Sequence, residues 1–361
     1  MKRRITMKNK AMIFIAVLAV FLLAIQGNAG TVKRQGTAGG MELLLPVGSA
    51  GTALGGNYTA GISGVEAMYW NPAGISASTK SAELMVSRMR YIADIDVNYV
   101  AVQAKLGKVG HFGASFKSLN FGEIPVTTED ATDGTGEYFS PSFIVVGASY
   151  SRAMTDRIHF GATTKIISEQ IENVSATAVG FDFGVQYNTQ KGLKLGVALR
   201  NLGSSLRFNG SDLERRVYLP GYVDKPVGQA EDLRIVAQSA ELPTTMDIGL
   251  SYTYQLFEGN SITLMGNFQN YQFGYDKYGT GVEYRFEMDK LALALRGGVT
   301  AAHDVDNGEL LLQKKKYPFG PSFGGELYYQ AASQLSFTVQ YAYRQTELFS
   351  DNQWITLIIG F

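Results

Sequence analysis

Leu335, Phe337, Val339, Tyr341 and Tyr343 alternate along the chain with Ser336, Thr338, Gln340, Ala342 and Arg344. An extended backbone sends such positions to opposite sides, so the segment has one apolar and one polar face. The same two-residue period recurs in Phe181, Phe183, Val185 and Tyr187, in Leu193, Leu195, Val197 and Leu199, in Ile248, Leu250, Tyr252 and Tyr254, and in Val282, Tyr284, Phe286 and Met288. From 81 to 361 the pattern predicts about fourteen strands of roughly 9 to 14 residues, long enough to cross a hydrocarbon layer at a tilt. Soluble strands average about 5 or 6. Two stretches depart from the rule. The phase slips across 99–102, which a β-bulge would explain, and 142–150 is almost entirely apolar or small, for which the pattern offers no reason.

Connection lengths add topology. Short connections at 107–108, 154–156, 189–192, 257–259, 288–290 and 332–333 alternate with longer ones at 122–140, 204–241 and 303–319 and a few of modest length. Outer-membrane barrels sort their turns and loops to opposite rims in this way, with an even strand count and both ends on the short-turn side. Ile355, Leu357, Ile359 and Phe361 alternate up to a terminal aromatic residue. Such an ending suits the strand by which an assembly machinery would recognise a barrel. The expected fold is all-β: a transmembrane antiparallel β-barrel of about 14 strands spanning 81–361, with outer-membrane lipid around it.

At the other end, Lys2, Arg3, Arg4, Lys8 and Lys10 precede an uncharged apolar run from 11 to 25, followed by small residues at Gly27 and Ala29. That order predicts a cleaved signal peptide over 1–29 and hence export to the cell outer membrane. The run is short for a spanning helix, and no later segment has 18 uninterrupted apolar residues. Residues 30–80 are rich in Gly, Ala and Ser and hold no strand of useful length, so they must plug the barrel, pair with it or hang free. Within them Pro72 fixes its own φ and pushes Asn71 to an extended conformation, which makes a rigid corner. Trp70 beside that corner either anchors the segment by packing, the more usual role of a large aromatic there, or contacts a ligand in the lumen.

Specific resemblance enters at these residues. Ala53-Leu54-Gly55-Gly56, the run Tyr69-Trp70-Asn71-Pro72-Ala73-Gly74, Asn201-Leu202-Gly203 and Leu242-Pro243-Thr244 follow one another as in the PorV/PorQ group, itself related to FadL-type hydrophobic transporters. The chain resembles that group over nearly all of 30–361. The resemblance implies a barrel whose N-terminal segment folds into the lumen as a hatch built around Gly55, Gly56, Trp70, Asn71, Pro72, Ala73 and Gly74. It further implies a part in type IX secretion, receiving cargo proteins at the surface side and handing them to other secretion components. The large loop 204–241 is the expected partner surface, because Leu206, Phe208, Tyr218, Leu219 and Tyr222 are more apolar than a solvated loop requires. The same loop could equally fold down over the barrel mouth. A FadL-like channel for small hydrophobic compounds, with a wall gap at the 99–102 slip, is the alternative reading.

Composition narrows the chemistry. The 361 residues carry 32 basic and 32 acidic side chains and no cysteine. This gives no electrostatic footprint for nucleic acid, no disulfide framework and no thiol nucleophile. Neither a phosphate-binding Gly-x-x-x-x-Gly-Lys loop nor a Gly-x-Gly-x-x-Gly turn occurs. His111, His159 and His303 stand far apart, and Asp304, Asp306, Asn307 and Gly308 begin like a calcium loop but place the glycine where a ligand belongs. Lys314, Lys315 and Lys316 read as a solvated run. The sequence thus predicts a protein that is not an enzyme and holds no cofactor or metal.

Overall fold

The computed structural model describes residues 34–218, 230–304, 309–311, 317–347 and 350–361. The expected signal segment, Leu219, Tyr222, Asp306, Asn307, Gly308 and the three lysines at 314–316 lie outside these. Fourteen long strands form the wall. They are β1 (Ala82–Arg90), β2 (Asp96–Leu106), β3 (Gly110–Asn120), β4 (Ser142–Ala153), β5 (Ile158–Ile171), β6 (Val174–Asn188) and β7 (Leu193–Gly203). After the large loop come β8 (Thr245–Phe257), β9 (Asn260–Tyr271), β10 (Asp276–Met288), β11 (Leu291–Asp304), β12 (Phe319–Gln330), β13 (Ser336–Thr346) and β14 (Asn352–Gly360). Each pairs antiparallel with the next, and β14 returns to β1 through Met85 opposite Ile358, Ser87 opposite Thr356 and Met89 opposite Trp354. The sheet is therefore a closed barrel, with no open edge in the wall.

Why these segments form a barrel is visible in their two faces. Along β6, Val179, Phe181, Phe183 and Val185 face outward and are about two-fifths exposed, whereas Ala178, Asp182 and Gln186 are buried inward. The outward set continues around the wall in Val146, Ile166, Leu195, Leu264, Leu293, Val339 and Ile355. An apolar belt on the exterior of a closed sheet is the surface that a bilayer covers. No described helix is long and apolar enough to cross a membrane. Short turns at 107–109, 154–157, 189–192, 258–259, 289–290 and 331–335 share one rim with both ends of the barrel. Connections on the other rim include 121–141 and 204–244, although 172–173 there is only a two-residue turn. Two small hairpins, Ile124–Pro125 with Tyr138–Phe139 and Glu214–Tyr218 with Ala230–Arg234, decorate that loop rim.

Residues 34–80 run through the lumen. They start at the loop rim, where Gly39 N donates to Glu241 O at 2.9 Å, and finish at the turn rim, where Ser81 N donates to Phe361 O at 2.8 Å. Between these points lie a 3₁₀ turn (Met41–Leu44), α1 (Ser49–Ala53), α2 (Ala67–Trp70) and a second 3₁₀ turn (Pro72–Ala77). Val47, Ile62, Met68, Trp70 and Ile75 pack against Met85, Tyr99 and Ala101 of the wall. Each large side chain so buried contributes about 1.5–3 kcal/mol. Short helices of four or five residues have no independent stability, so this contact holds the segment in shape.

The phase slip at 99–102 has a different origin from the bulge expected there. Strand β2 pairs with β3 without a break, and its burial alternates regularly. Tyr99 points inward, where the hatch rather than water covers it, so an apolar residue sits on the face that elsewhere is polar. The same cause explains 142–150. Val145 on the inner face of β4 lies in a dry cluster with Leu43 of the luminal segment, Ile167 of β5, and Leu206 and Leu242 of the large loop.

Candidate functional site

The corner predicted at Asn71-Pro72 is where the luminal segment meets the wall. Asn71 is extended (φ −158°, ψ 104°), its Oδ1 accepts from Ala73 N at 3.2 Å, and Pro72 opens the following 3₁₀ turn. Its Nδ2 faces Thr59 O at 2.9 Å, Val185 O of β6 at 3.3 Å and Val197 O of β7 at 3.4 Å. One side-chain amide thus ties two hatch segments to two adjacent strands. Close approach is possible because the wall has glycine there. A Cβ at Gly184 would lie 2.0 Å from Asn71 Oδ1, and one at Gly161 would lie 2.2 Å from the Pro72 carbonyl carbon. Ala73 is fully buried and its carbonyl accepts from Ser151 Oγ of β4 at 3.0 Å.

Asn57, which carried no signal in the sequence, makes the same arrangement four strands further round the wall. Its Nδ2 donates to Leu54 O at 2.7 Å and approaches Thr280 O of β10 and Val299 O of β11 at 3.1 and 3.3 Å, opposite Gly279. Gly55 and Gly56, both at positive φ, turn the chain beside it, and Gly55 O accepts from Thr300 Oγ1 at 2.7 Å. Trp70 clamps the two halves together. Its indole packs on Gly51 of α1, its Nε1 donates to Val47 O at 3.2 Å, and its ring meets Tyr69 edge-on at 5.0 Å. Gly74 lies so close to Ile62 O that a Cβ would fall 2.5 Å from it.

Beside this corner the wall is irregular. Arg200 and Asn201 on β7 together oppose the single residue Asp182 on β6, and Asn201 adopts φ +60°. This is a β-bulge half-way along β6, and the charged groups around it are paired inside the wall. Lys165 lies 2.6 Å from Asp182, and Asn201 N donates to Asp182 Oδ1 at 2.8 Å. Arg200 donates to Asp247 of β8 at 2.9 and 3.1 Å and reaches Tyr69 O of the hatch at 3.4 Å. Asn201 Nδ2 donates to Pro243 O, and Thr244 Oγ1 donates to Asn201 O. The Asn201-Leu202-Gly203 and Leu242-Pro243-Thr244 runs, far apart in sequence, therefore meet at one defect in the wall.

The hatch divides the lumen. On the loop side a cavity of about 80 Å³ is lined by Tyr69, Trp70, Arg200, Lys277, Tyr317 and Arg344 among others. On the turn side lies a cavity of about 460 Å³ with a charged lining. Two hatch carboxyls are held unusually neutral. Burial pushes Glu66 up to about 7; burial and then the neighbouring Glu169 carboxylate push Glu42 up to about 8. Lys117 of β3 donates to the carbonyls of Glu42 and Leu45 at 2.6 Å each, and Glu169 accepts from Gly40 N at 3.1 Å.

The remaining predicted residues fall elsewhere. Leu206 is buried and Phe208 half-buried against Leu43 and Leu242, so this end of the large loop folds down on the mouth. Tyr218 lies in the external hairpin opposite Ala230. Phe361 closes the sheet, its N–H donating to Ala82 O at 2.8 Å. His111 contacts Gln103, His159 contacts Ser76, and His303 packs edge-on to Tyr278. Among the described residues no three His, Asp or Glu side chains converge as a metal site would require.

No protein-family description matches the chain, and no curated protein does. Solved structures do. The monoaromatic hydrocarbon channel CymD is 12% identical with a TM-score of 0.53, covering 88% of this chain and 97% of its own. The Pseudomonas putida toluene transporter TodX is 12% identical with a TM-score of 0.51 (86% and 96% covered). A Pseudomonas aeruginosa FadL homologue is 13% identical with a TM-score of 0.50 (87% and 98% covered). At such identities the likeness concerns architecture: this chain has the fold of the FadL-type outer-membrane channels, a closed 14-stranded antiparallel barrel.

Proposed function

We propose that the protein, exported by its signal peptide to the outer membrane, is a gated channel that passes small hydrophobic compounds, with 34–80 as the gate. The observation that carries this reading is the contact of Tyr69 O with Arg200, which joins the hatch directly to the bulge in the wall. A cavity of about 150 Å³ holds a benzene ring in an apolar protein interior. The loop-side cavity, at about 80 Å³, is smaller. Entry of a monoaromatic compound therefore requires the hatch to shift, and a shift of Tyr69 pulls on Arg200 and Asn201. Below the hatch the acidic cavity disfavours an apolar solute, whereas the charges at the bulge neutralise one another in pairs, so the bulge is the better exit, sideways into lipid. CymD and TodX, by name channels for monoaromatic hydrocarbons and toluene, share the fold that makes this possible.

Uptake of toluene by cells lacking any other hydrophobic channel tests the proposal. Cells making the barrel should take up toluene faster than cells without it. Deletion of Asn201, which restores one-to-one pairing of β6 and β7, should abolish the gain while leaving a heat-modifiable, folded barrel. No gain with the intact barrel sinks the channel reading; full uptake by the deletion variant sinks the bulge as the exit.

A second reading, secretion of the PorV type, is favoured by one feature. Val217 and Leu233 of the external hairpin, and Ile235 and Val236 just after it, are exposed, a group of apolar side chains suited to a protein partner. Removing 204–241 and recovering the tagged barrel from solubilised membranes tests it. Secreted proteins that co-purify with the intact barrel and vanish with the loop would support this role over the channel.

A further inference from the structure

Beyond the hatch, on the turn rim, the cavity of about 460 Å³ has a lining unlike a route for hydrocarbons. We propose that it is a binding site for a linear polyamine in its protonated form. Six carboxyls line it against three cations, so that even with Glu66 held largely neutral by burial the lining keeps an excess of about two negative charges. All three cations are already engaged. Arg296 binds Glu283 at 2.6 Å and Glu326 at 2.7 Å, Arg285 binds Glu326 and Glu287 at 2.9 and 2.7 Å, and Lys80 Nζ donates to Tyr328 Oη and Gln330 Oε1.

The remaining charged groups are all acceptors. Glu66 accepts from neutral backbone N–H groups, that of Gly51 at 3.0 Å among them. Glu83 accepts from Val65 N, Ser78 Oγ and Gln103 Nε2, again neutral donors. Asp289, in the turn between β10 and β11, has no salt bridge among the described residues and stands exposed at the mouth. Gln340 supplies an independent sign. It is only 4% exposed, its amide donates to Glu326 at 3.0 Å, and its Oε1 has no hydrogen-bond partner among the described residues. Buried acceptors of this kind are rare and ask for a donor.

A ligand that satisfies the lining must carry several N–H donors and positive charge, and must be slender enough to run from the rim at Asp289 inward past Glu83 to Gln340. A protonated triamine fits all three demands; a hydrocarbon lacks both donors and charge, and an anion carries the wrong charge. The site does not rest on the channel reading, because the hatch separates it from the bulge.

The test is calorimetric titration of the purified, detergent-solubilised barrel with spermidine, beside a neutral polyether of equal length. Saturable binding of one spermidine per barrel, with no binding of the polyether, is the expected result. Replacing one charged hydrogen-bond partner should weaken binding about tenfold or more, so Asp289→Asn and Glu83→Gln should each do so. Asp289 lies at the surface, which keeps that variant free of folding effects. Absence of saturable heat, equal binding of the polyether, or unchanged affinity in both variants would overturn the proposal.

Discussion

Asn71→Ala should undock the hatch from the wall without opening the wall itself. Asn71 Nδ2 has two protons shared among three carbonyls, and Oδ1 caps the Pro72 turn. Two net hydrogen bonds at about 0.5–1.5 kcal/mol each and a cap of about 1 kcal/mol give roughly 2–4 kcal/mol. The lower half of that range applies. Val185 O and Val197 O belong to paired wall strands, and Thr59 O still accepts from Gln186 Nε2 at 3.1 Å, so the loss does not orphan a buried acceptor. A loss of about 2–3 kcal/mol raises the population of the undocked hatch some 30- to 150-fold. Hydrogen exchange over 58–77, followed by mass spectrometry on the detergent-solubilised protein, reads that population directly. Exchange should speed up there by this factor while β2 and β13 stay protected. Asn71→Asp gives a sharper comparison, since it keeps the cap but sets a carboxylate against three carbonyl oxygens; it should be worse than alanine. Protection within threefold of the parent in Asn71→Ala, or an aspartate as good as asparagine, would refute the role assigned to this side chain.

Gly161→Val should displace the Pro72 turn, because even a Cβ lies 2.2 Å from its backbone; protease cleavage within 58–77 would report it, and an intact hatch would contradict the close packing. Arg200→Ala leaves Asp247 buried without its cation, at a cost of about 3–5 kcal/mol, measurable as a lowered thermal midpoint. Docking of the hatch should weaken as pH rises. Glu42 has a docked pKa of about 8 against an ordinary value of 4.5, so its favourable protonated state is fully present below about 4.5 and lost through 8. Exchange over 40–50 should therefore accelerate across that window, and Glu42→Gln should flatten the response; an unchanged slope in the variant would place the titration elsewhere.

How much of this was legible beforehand divides along a physical line. Strand identity, the sorting of most connections by rim and the apolar exterior follow from period-two patterning, which is local. Asn71-Pro72 was legible as a corner because proline constrains its neighbours. Its partners were not, since Asn71 reaches Val185 and Val197 over more than a hundred residues of chain. Asn57 gave no signal at all: an asparagine after two glycines reads as a surface turn, and only the proximity of Thr280 and Val299 makes it a pin. The two lapses in alternation had one cause. Tyr99 and Val145 sit on the inner face, yet what lies inside them is protein. The two-face rule assumes a wet lumen, and a plugged barrel violates it wherever the plug touches the wall.

That violation is itself informative about mechanism. A water-filled lumen would show polar side chains inward along every strand. Here the inward face changes character around the barrel: apolar at β2 and β4, glycine where Asn57 and Asn71 dock, ion-paired around the bulge, and acidic at the turn rim. Two asparagines, bonded to strand pairs four strands apart around the wall, pin the hatch by contacts worth only a few kcal/mol apiece beside its apolar packing, whereas the closed strand ladder is bonded throughout. In the channel reading the luminal layer is the one that moves. In that reading, motion of the hatch would pass through Tyr69 and Arg200 to a bulge already lacking one-to-one pairing and would concentrate strain where β6 and β7 part at least cost. Straightening that bulge therefore separates gating from assembly: the barrel should form as before, the hatch should still exchange, and only passage should stop.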